Sequence, residues 1–199
     1  MDSTQIVSRI TEKFGPAILA SFPQDKHPRV HVAGQHWRAL AEFLRHDPQL
    51  QFDWLACITA VDYVAENKLA AVYDLYSSAA GYWFAVKVYT DRAKPHIPTV
   101  MDIWPAADWH EREAFDMMGI VFDGHSDLRR ILLPEDWVGY PLRKDYVFPR
   151  EYHGIPGSYE LDWQQQPSKA MSFSPGHRWL RLIRQSRMAW PIVLFARHP

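Results

Sequence analysis

Residues 69–90, LAAVYDLYSSAAGYWFAVKVYT, decide the fold. Two β-rich runs, 69–77 and 82–90, are separated by Ser78-Ala79-Ala80-Gly81, a hairpin-like connection. In the second run, successive side chains would point to opposite faces of a strand. One face would carry Phe84, Val86 and Val88, and the other Trp83, Ala85, Lys87 and Tyr89. The stretch therefore predicts two neighbouring antiparallel strands.

Further strands and two helices are predicted on the N-terminal side of this hairpin. Residues 52–64 form a third β-rich run, and residues 29–33 form a short one. The first helix is indicated by apolar residues at helical spacing behind Ser3 and Thr4, and Gly15-Pro16 ends it. The apolar residues of the second helix are Trp37, Leu40, Ala41 and Leu44. Asp47-Pro48 ends this helix, because a residue before proline avoids the helical conformation.

A third helix is predicted over residues 109–118. Asp108 is a good N-cap residue, Glu111 follows it as in a capping box, and Gly119 supplies a left-handed stop. The fold class is therefore α+β: a two-layer α/β domain with a mixed, largely antiparallel sheet covered by helices on one face.

The domain is expected to span residues 1–148, and residues 149–199 are expected to form an extended, proline-containing basic tail. After Asp162 the chain has six basic residues and no acidic ones, which leaves the first 162 residues at −7, from 16 basic and 23 acidic side chains. This asymmetry indicates a tail laid on an acidic surface, of a partner protein or of a membrane leaflet. A solvated terminal helix is the alternative.

Composition excludes several function classes. Cys57 is the single cysteine among 199 residues, so the chain alone cannot supply the roughly four thiolates of a typical iron–sulfur cluster. The glycines form neither G-x-G-x-x-G nor G-x-x-x-x-G-K-[ST], so no common nucleotide-binding loop is present. The net charge of −1 gives no electrostatic reason to bind nucleic acid, and the longest apolar stretches, such as residues 191–196, are too short to cross a membrane. We interpret the N-terminus as mature sequence without a targeting segment.

Residues 109–146 are the part of the chain densest in charged side chains that could perform chemistry. His110, Glu113, Asp116 and His125 could be drawn as a metal site, which would make the chain a metal-dependent hydrolase. Their spacing matches no zinc signature such as H-E-x-x-H. An ion-paired surface is the alternative interpretation of the same residues.

Two turns in this region each lead to a leucine followed by paired basic residues. They are residues 124–130, GHSDLRR, and residues 139–145, GYPLRKD. The guanidinium groups of Arg129, Arg130 and Arg143 suit bidentate binding of carboxylates, either within the chain or on a partner. The spacing leaves both possibilities open.

At these residues the sequence resembles the hydrophilic C-type subunit of proton-pumping NADH:quinone oxidoreductase, respiratory complex I. The family signature is matched by Glu111-Arg112-Glu113, Asp116, Met117-Met118, His125, Arg129 and Ile131-Leu132. A downstream element, G-x-P-L-R-K-D-[YF], is matched by residues 139–146. The residues that we assign to the signature and to an interface are Glu111, Arg112, Glu113, Asp116, His125, Asp127, Arg129, Arg130, Gly139, Arg143, Lys144 and Asp145.

The resemblance implies a structural subunit of the peripheral arm, with no catalytic, cofactor-binding or metal-binding residue on this chain. FMN, the iron–sulfur clusters and quinone are expected on partner subunits, and the chief expected partner is the quinone-pocket subunit, against which this chain would pack. The whole complex passes electrons from NADH to quinone and couples this to proton translocation. The expected location is the cytoplasmic side of the bacterial inner membrane, with membrane association through the complex and no nucleic acid partner.

Two positions depart from the family pattern, which commonly has proline at Ser126 and histidine at Tyr140. Serine still favours a turn, whereas tyrosine casts doubt on any role that needs a titrating imidazole. The alternatives left open are the equivalent subunit of a membrane-bound hydrogenase, the hydrolase above, and an adaptor whose basic tail binds anionic lipid or nucleic acid by itself.

Overall fold

A computed structural model describes residues 2–149 and 151–156. Its main feature is a five-stranded sheet in the order β1-β2-β5-β4-β3. The strands are β1 Ile18–Phe22, β2 Arg29–Ala33, β3 Trp54–Tyr63, β4 Lys68–Ser77 and β5 Tyr82–Asp91. The pair of β2 with β5 is parallel and the other pairs are antiparallel. The predicted mixed, largely antiparallel α+β fold is confirmed.

The hairpin predicted from residues 69–90 is confirmed. Strands β4 and β5 pair antiparallel from Lys68 with Asp91 to Ser77 with Tyr82. Gly81 has φ of 72°, which the turn between the strands requires and which glycine adopts without strain. The sequence pattern missed β1, which closes the sheet edge beside β2.

Helices α1, Ser3–Phe14, and α2, Gly34–His46, pack on one face of the sheet. Asp2, rather than Ser3 or Thr4, caps α1: its side chain accepts from Gln5 N while the Gln5 side chain accepts from Asp2 N. At the start of α2, a Cβ on Gly34 would lie 3.3 Å from the carbonyl oxygen of His96, so the close approach of two backbones favours glycine here.

Helix α3 is Ala107–Met118, and the predicted N-cap for it is wrong. The residue before the helix is Ala106, whose side chain makes no capping hydrogen bond. Asp108 lies inside the first turn and pairs with Arg112. The Glu111 carboxylate accepts from Val100 N on a neighbouring segment, so no capping box forms. The predicted stop at Gly119, with φ of 73°, is confirmed.

Two short strands, β6 His96–Pro98 and β7 Val121–Asp123, pair in parallel, and α3 lies between them in the sequence. The core lies between the sheet and the helices, and its largest fully buried side chains include Trp37, Tyr73 and Phe52. Within residues 2–149 and 151–156, no helix has both the length and the apolar character of a membrane span.

Beyond residue 148 the structure describes a short two-stranded pair, β8 Glu151–Tyr152 with β9 Ile155–Pro156. The predicted basic tail falls mostly on residues 157–199, which lie outside the described residues. Its contact with an acidic surface, and the boundary at residue 148, stay predictions.

We expect Trp37→Ala to lower the free energy of unfolding by about 3–5 kcal/mol, because it empties the centre of the core. The Trp37 ring is fully buried, with its centroid 4.2 Å from that of Tyr73. Urea denaturation followed by circular dichroism measures the loss. Trp54→Ala is the control, since Trp54 is 62% exposed, and a loss as large in the control would contradict the assigned core.

Candidate functional site

The residues singled out by the sequence lie on helix α3 and on residues 124–146, an irregular segment that we call the signature loop. The loop contains no helix or strand, so its backbone groups need partners outside regular secondary structure. Charged side chains of the signature provide many of those partners. The site is therefore best understood from the contacts that hold this loop against α3 and the sheet.

The Asp116 carboxylate, fully buried on α3, is the main anchor of the loop. Its Oδ2 accepts hydrogen bonds from the backbone N–H groups of Ile131, Leu132 and Leu133 at 3.0, 2.7 and 3.0 Å. Its Oδ1 accepts from Arg130 Nη1 at 2.7 Å. Burial by itself would raise the pKa of Asp116, but the bonds from Leu132, Leu133 and Arg130 outweigh it and lower the pKa. The group is thus held as a carboxylate.

Arg130 connects this anchor to the second half of the loop. Its Nη1 also donates to the backbone oxygen of Asp116, and its Nη2 donates to the carbonyl oxygens of Trp137 and Gly139, all at 3.1 Å. One guanidinium group therefore fixes the helix and two loop positions together. A planar fork of donors on one side chain can do this, whereas a lysine ammonium cannot match its geometry.

The segment 139–146 is held by a second group of contacts at the end of α3. Leu142 N donates to the carbonyl oxygen of Met117 at 3.1 Å, which joins the loop backbone directly to the last turn of the helix. Arg143 Nε donates to the carbonyl oxygen of Met118 at 2.8 Å. These two bonds use carbonyl groups that the end of a helix leaves without an intrahelical partner.

Gly119 makes room for the same segment. The Tyr140 ring lies against it, at a place where a Cβ would be 2.4 Å from a ring carbon. Gly119 therefore both ends the helix and admits the aromatic ring of the loop.

Lys144 and Asp145 attach the segment to the sheet. Lys144 N donates to Asp62 Oδ2 at 3.0 Å, and Arg92 Nε donates to Asp62 Oδ1 at 2.9 Å. Arg92 also pairs with Asp145. The hydrogen bond from Arg92 is the largest cause that lowers the pKa of Asp62, and the bond from Lys144 N acts in the same direction. Asp62, at the end of β3, is thus a second buried carboxylate that fixes the loop.

The Glu111 side chain is fully buried, as is that of Asp116. It accepts hydrogen bonds from the Thr99 hydroxyl and from Val100 N, the latter at 2.9 Å. Burial raises the pKa of Glu111 to about 7, against the opposing effect of these two bonds. The His125 side chain is also fully buried. Its Nε2 lies 3.9 Å from Glu111 Oε2 and 3.2 Å from Asp108 Oδ1.

Arg112 completes the contacts of the helix. It binds both carboxylate oxygens of Asp108, at 2.9 and 2.8 Å, and lies 3.5 Å from Asp127. Its guanidinium carbon is 4.2 Å from the centroid of the Trp109 ring. Arg129 pairs with Asp127 at 2.9 Å, and its side chain is 62% exposed. The carboxylates that these arginines bind are therefore within the chain.

The metal hypothesis for His110, Glu113, Asp116 and His125 is wrong. Within the described residues, no group of three or more metal-ligating side chains comes together. Asp116 is occupied by the loop N–H groups and Arg130, His125 lies beside Asp108 and Glu111, and Glu113 is exposed. The four residues are close in sequence, but their side chains do not converge on one point.

The structure brings most of the predicted signature residues into this one network. Glu113, Arg129 and the Lys144 side chain lie at its exposed margin. Gly139 has φ of 85°, and a Cβ there would lie 2.6 Å from the Tyr146 ring, so the turn requires glycine.

The sequence analysis missed Thr99 and Arg92 and did not assign Asp62 to the site. No sequence pattern indicated the contacts of Thr99 with Glu111 and of Arg92 with Asp62, because they join distant segments of the chain.

Apolar side chains point outward along the same part of the chain. Within and just after the signature loop, five large apolar residues are each more than half exposed. This exposed apolar set consists of Leu132, Val138, Leu142, Val147 and Phe148. Exposed apolar side chains held on a fixed backbone are typical of a surface that contacts another protein.

Comparison with known proteins gives a consistent result. The family described as "Respiratory-chain NADH dehydrogenase, 30 Kd subunit" matches residues 30–152. The C-type subunit of NADH-quinone oxidoreductase from Chlorobium phaeobacteroides is 48% identical over 152 residues, covering 75% of this chain and 92% of that protein. Its counterpart from Roseiflexus castenholzii is 40% identical over 146 residues, covering 73% and 84%.

Two solved structures are similar as well. A chain of the membrane-bound sulfane sulfur reductase, an archaeal respiratory membrane complex, has a TM-score of 0.62 at 29% identity, covering 72% of this chain and 85% of that one. The trypsin-resistant fragment of Nqo5 has a TM-score of 0.53 at 28% identity, covering 64% of this chain and all of the fragment. These similarities contradict the hydrolase hypothesis.

We expect Asp116→Asn to lower the free energy of unfolding by about 3–5 kcal/mol, because it leaves Arg130 without its carboxylate in a half-buried position. Hydrogen exchange of the amides of residues 131–133 should accelerate in parallel. Asp127→Asn is the matched control: this carboxylate is 54% exposed, so its loss should leave the free energy of unfolding nearly unchanged. Unchanged exchange at residues 131–133 would contradict the anchoring role.

The raised pKa of Glu111 predicts a stability that falls as pH rises. Below the ordinary pKa of 4.5, glutamate is protonated in both the folded and the unfolded chain; between 4.5 and about 7 only the folded chain keeps the proton. Ionising the buried group should therefore cost about 3 kcal/mol by pH 8.

Glu111→Gln mimics the protonated side chain and removes this effect. The difference between the free energies of unfolding of this variant and of the unmodified chain should grow by about 3 kcal/mol in favour of the variant between pH 4 and pH 8. Urea denaturation at each pH measures it. Parallel pH profiles for the two proteins would show that Glu111 does not carry the dependence.

Proposed function

This chain belongs to the family of the 30 kDa subunit of respiratory-chain NADH dehydrogenase, and we propose that it is a structural subunit of the peripheral arm that packs against the quinone-pocket subunit. The observation that carries this proposal is the arrangement of side chains in residues 107–148. The charged signature side chains are turned inward to fix the signature loop, while the exposed apolar set points outward. Such a segment offers a neighbour a surface of fixed shape.

The redox groups are proposed to reside on partner subunits. In this proposal FMN, the iron–sulfur clusters and quinone are bound elsewhere in the complex, which passes electrons from NADH to quinone and couples this to proton translocation. The contribution of this chain is the position of its neighbours. In support, the buried carboxylates Asp62 and Asp116 are occupied by backbone N–H groups and arginines, which suits them to structure rather than to proton transfer.

The proposed location is the cytoplasmic side of the bacterial inner membrane, with attachment through the complex. Purification of the detergent-solubilised complex through a tag on this chain tests the assignment. We expect the quinone-pocket subunit and the cluster-bearing subunits to co-purify; recovery of the chain by itself would contradict the proposed function.

A second candidate is the equivalent subunit of another membrane-bound respiratory complex, including a hydrogenase-type complex. The observation that favours it is the likeness to a chain of the archaeal sulfane sulfur reductase. The same purification separates the two candidates. Flavin-containing, NADH-oxidising subunits in the purified complex support the first, and their replacement by other electron-input subunits supports the second.

We expect Val138→Asp to weaken retention of the chain in the purified complex. Val138 is 84% exposed, so the folded chain can accept the carboxylate, but an interface would have to bury it without a partner. Quantitative mass spectrometry of the subunits measures the loss, which should be several-fold. Val64→Asp is the matched control, since Val64 is 46% exposed and lies outside the exposed apolar set. Equal retention of both variants would remove Val138 from the interface.

A further inference from the structure

The face of the sheet opposite the core presents a row of aromatic side chains. Trp54 on β3 pairs in register with Tyr76 on β4, which pairs in register with Trp83 on β5. The centroids of the Tyr76 and Trp83 rings are 4.8 Å apart. Trp54 is 62% exposed and Trp83 is 56% exposed. Two tryptophans presented on one rigid sheet face are typical of a protein interface.

A groove of about 520 Å³ lies beside this row. Trp83 and Ala85 of β5, Asp74 of β4 and Cys57 of β3 line it, and residues 26–28 line it from the β1–β2 connection. The size suits one or two side chains of a partner. The strand ladder fixes the lining residues that lie on β3, β4 and β5, so this wall of the groove is formed before any partner binds.

Asp74 gives the groove its chemical character. Its Oδ2 accepts a hydrogen bond from the Cys57 thiol at 3.2 Å, and burial raises the pKa of that thiol, which keeps it protonated. Within the described part of the chain, Asp74 forms no ion pair. By contrast, the carboxylates Asp47, Asp62 and Asp116 each bind an arginine. Asp74 is therefore a half-buried carboxylate with room for a cation.

The carboxylate of Asp74 favours a cation in the groove. Glu113, exposed on α3, adds negative charge near Cys57, since its field acts to raise the thiol pKa. Lys26 and His27, from the β1–β2 connection, also line the groove, and neither of these two described residues forms an ion pair with Asp74. A guanidinium group fits this arrangement better than an ammonium, because its planar fork binds carboxylates bidentately and its face stacks on an indole ring.

We propose that this groove receives an arginine side chain of a neighbouring subunit, with the guanidinium group stacked on Trp83 and paired with Asp74. The site is separate from the exposed apolar set and gives the domain a second interface on the opposite face of its sheet from α1 and α2. The proposal rests on the proposed function in one respect: the arginine belongs to another subunit of the complex.

Photo-cross-linking in the purified complex tests the occupant. The variant Trp83→p-benzoylphenylalanine places the cross-linker at the groove. The variant Val64→p-benzoylphenylalanine is the control, because Val64 follows the last residue of β3, whereas Trp54 is the first. We expect position 83 to capture an arginine-containing peptide of another subunit. Capture of a peptide without arginine, of this same chain, or of nothing would overturn the proposal.

The two proposals fail in different ways in this experiment. If the chain does not co-purify with other subunits, the proposed function is contradicted together with the groove partner. If the chain co-purifies but position 83 captures no arginine-containing peptide of a neighbour, only the groove proposal is contradicted.

Asp74→Asn tests the ion pair itself. Loss of a charge-assisted contact at the site should reduce the cross-linking yield from position 83 by about tenfold. Glu66→Gln, an equally isosteric change at an exposed carboxylate outside the groove, should leave the yield unchanged. An unchanged yield with Asp74→Asn would overturn the ion pair.

Charge reversal keeps the test valid should Asp74→Asn disturb the groove. Asp74→Arg should abolish the cross-link, and a second change of the captured arginine to aspartate in the partner should restore it. No restoration by the paired change would overturn the contact. A structural role of Asp74 alone would not respond to a change in another subunit.

Discussion

The buried carboxylate of Asp116 is the constraint on which the rest of the site depends. A buried charge is costly unless it is both paired and hydrogen-bonded, and Asp116 meets this condition with three backbone N–H groups and Arg130. Those donors all come from the signature loop. A conformation in which the loop leaves the helix would deprive the Asp116 carboxylate of these donors, and is therefore unfavourable. For this reason a segment without regular secondary structure acquires a defined shape.

This arrangement gives the many charged residues of the signature a structural role. Arg130, Arg143 and Lys144 are close in sequence to the exposed apolar set, but their groups bind carbonyl oxygens and carboxylates of the domain itself. Polar contacts hold the backbone, and apolar side chains remain for a neighbour. A loop held by apolar packing alone would have buried the same leucines and valines that an interface needs.

Much of the fold could be predicted from the sequence, because polar and apolar residues alternate along β5 and α2 has an apolar stripe that ends at Asp47-Pro48. Strand β1 was missed, since the residues ILASF at 18–22 show no alternation of polar and apolar side chains, and their burial alternates only in the strand paired with β2. For the site, spacing placed Asp116 and Arg130 in one region, yet it could not say whether an arginine binds a carboxylate of its own chain or of a partner. The cap predicted at Asp108 failed for a related reason, because Arg112, one turn later, binds both of its carboxylate oxygens.

The network of contacts also connects the two faces of the domain. The contacts of Asp62 tie the signature loop to β3, and the sheet ladder runs from β3 through β4 to β5, where Trp83 stands at the groove. Backbone hydrogen bonds along three strands make this path stiff. In the proposed complex, a subunit built this way holds a neighbour at the loop and a neighbour at the groove at a fixed separation. Its contribution is then geometric, because it sets distance and orientation between the parts that bear the reacting groups.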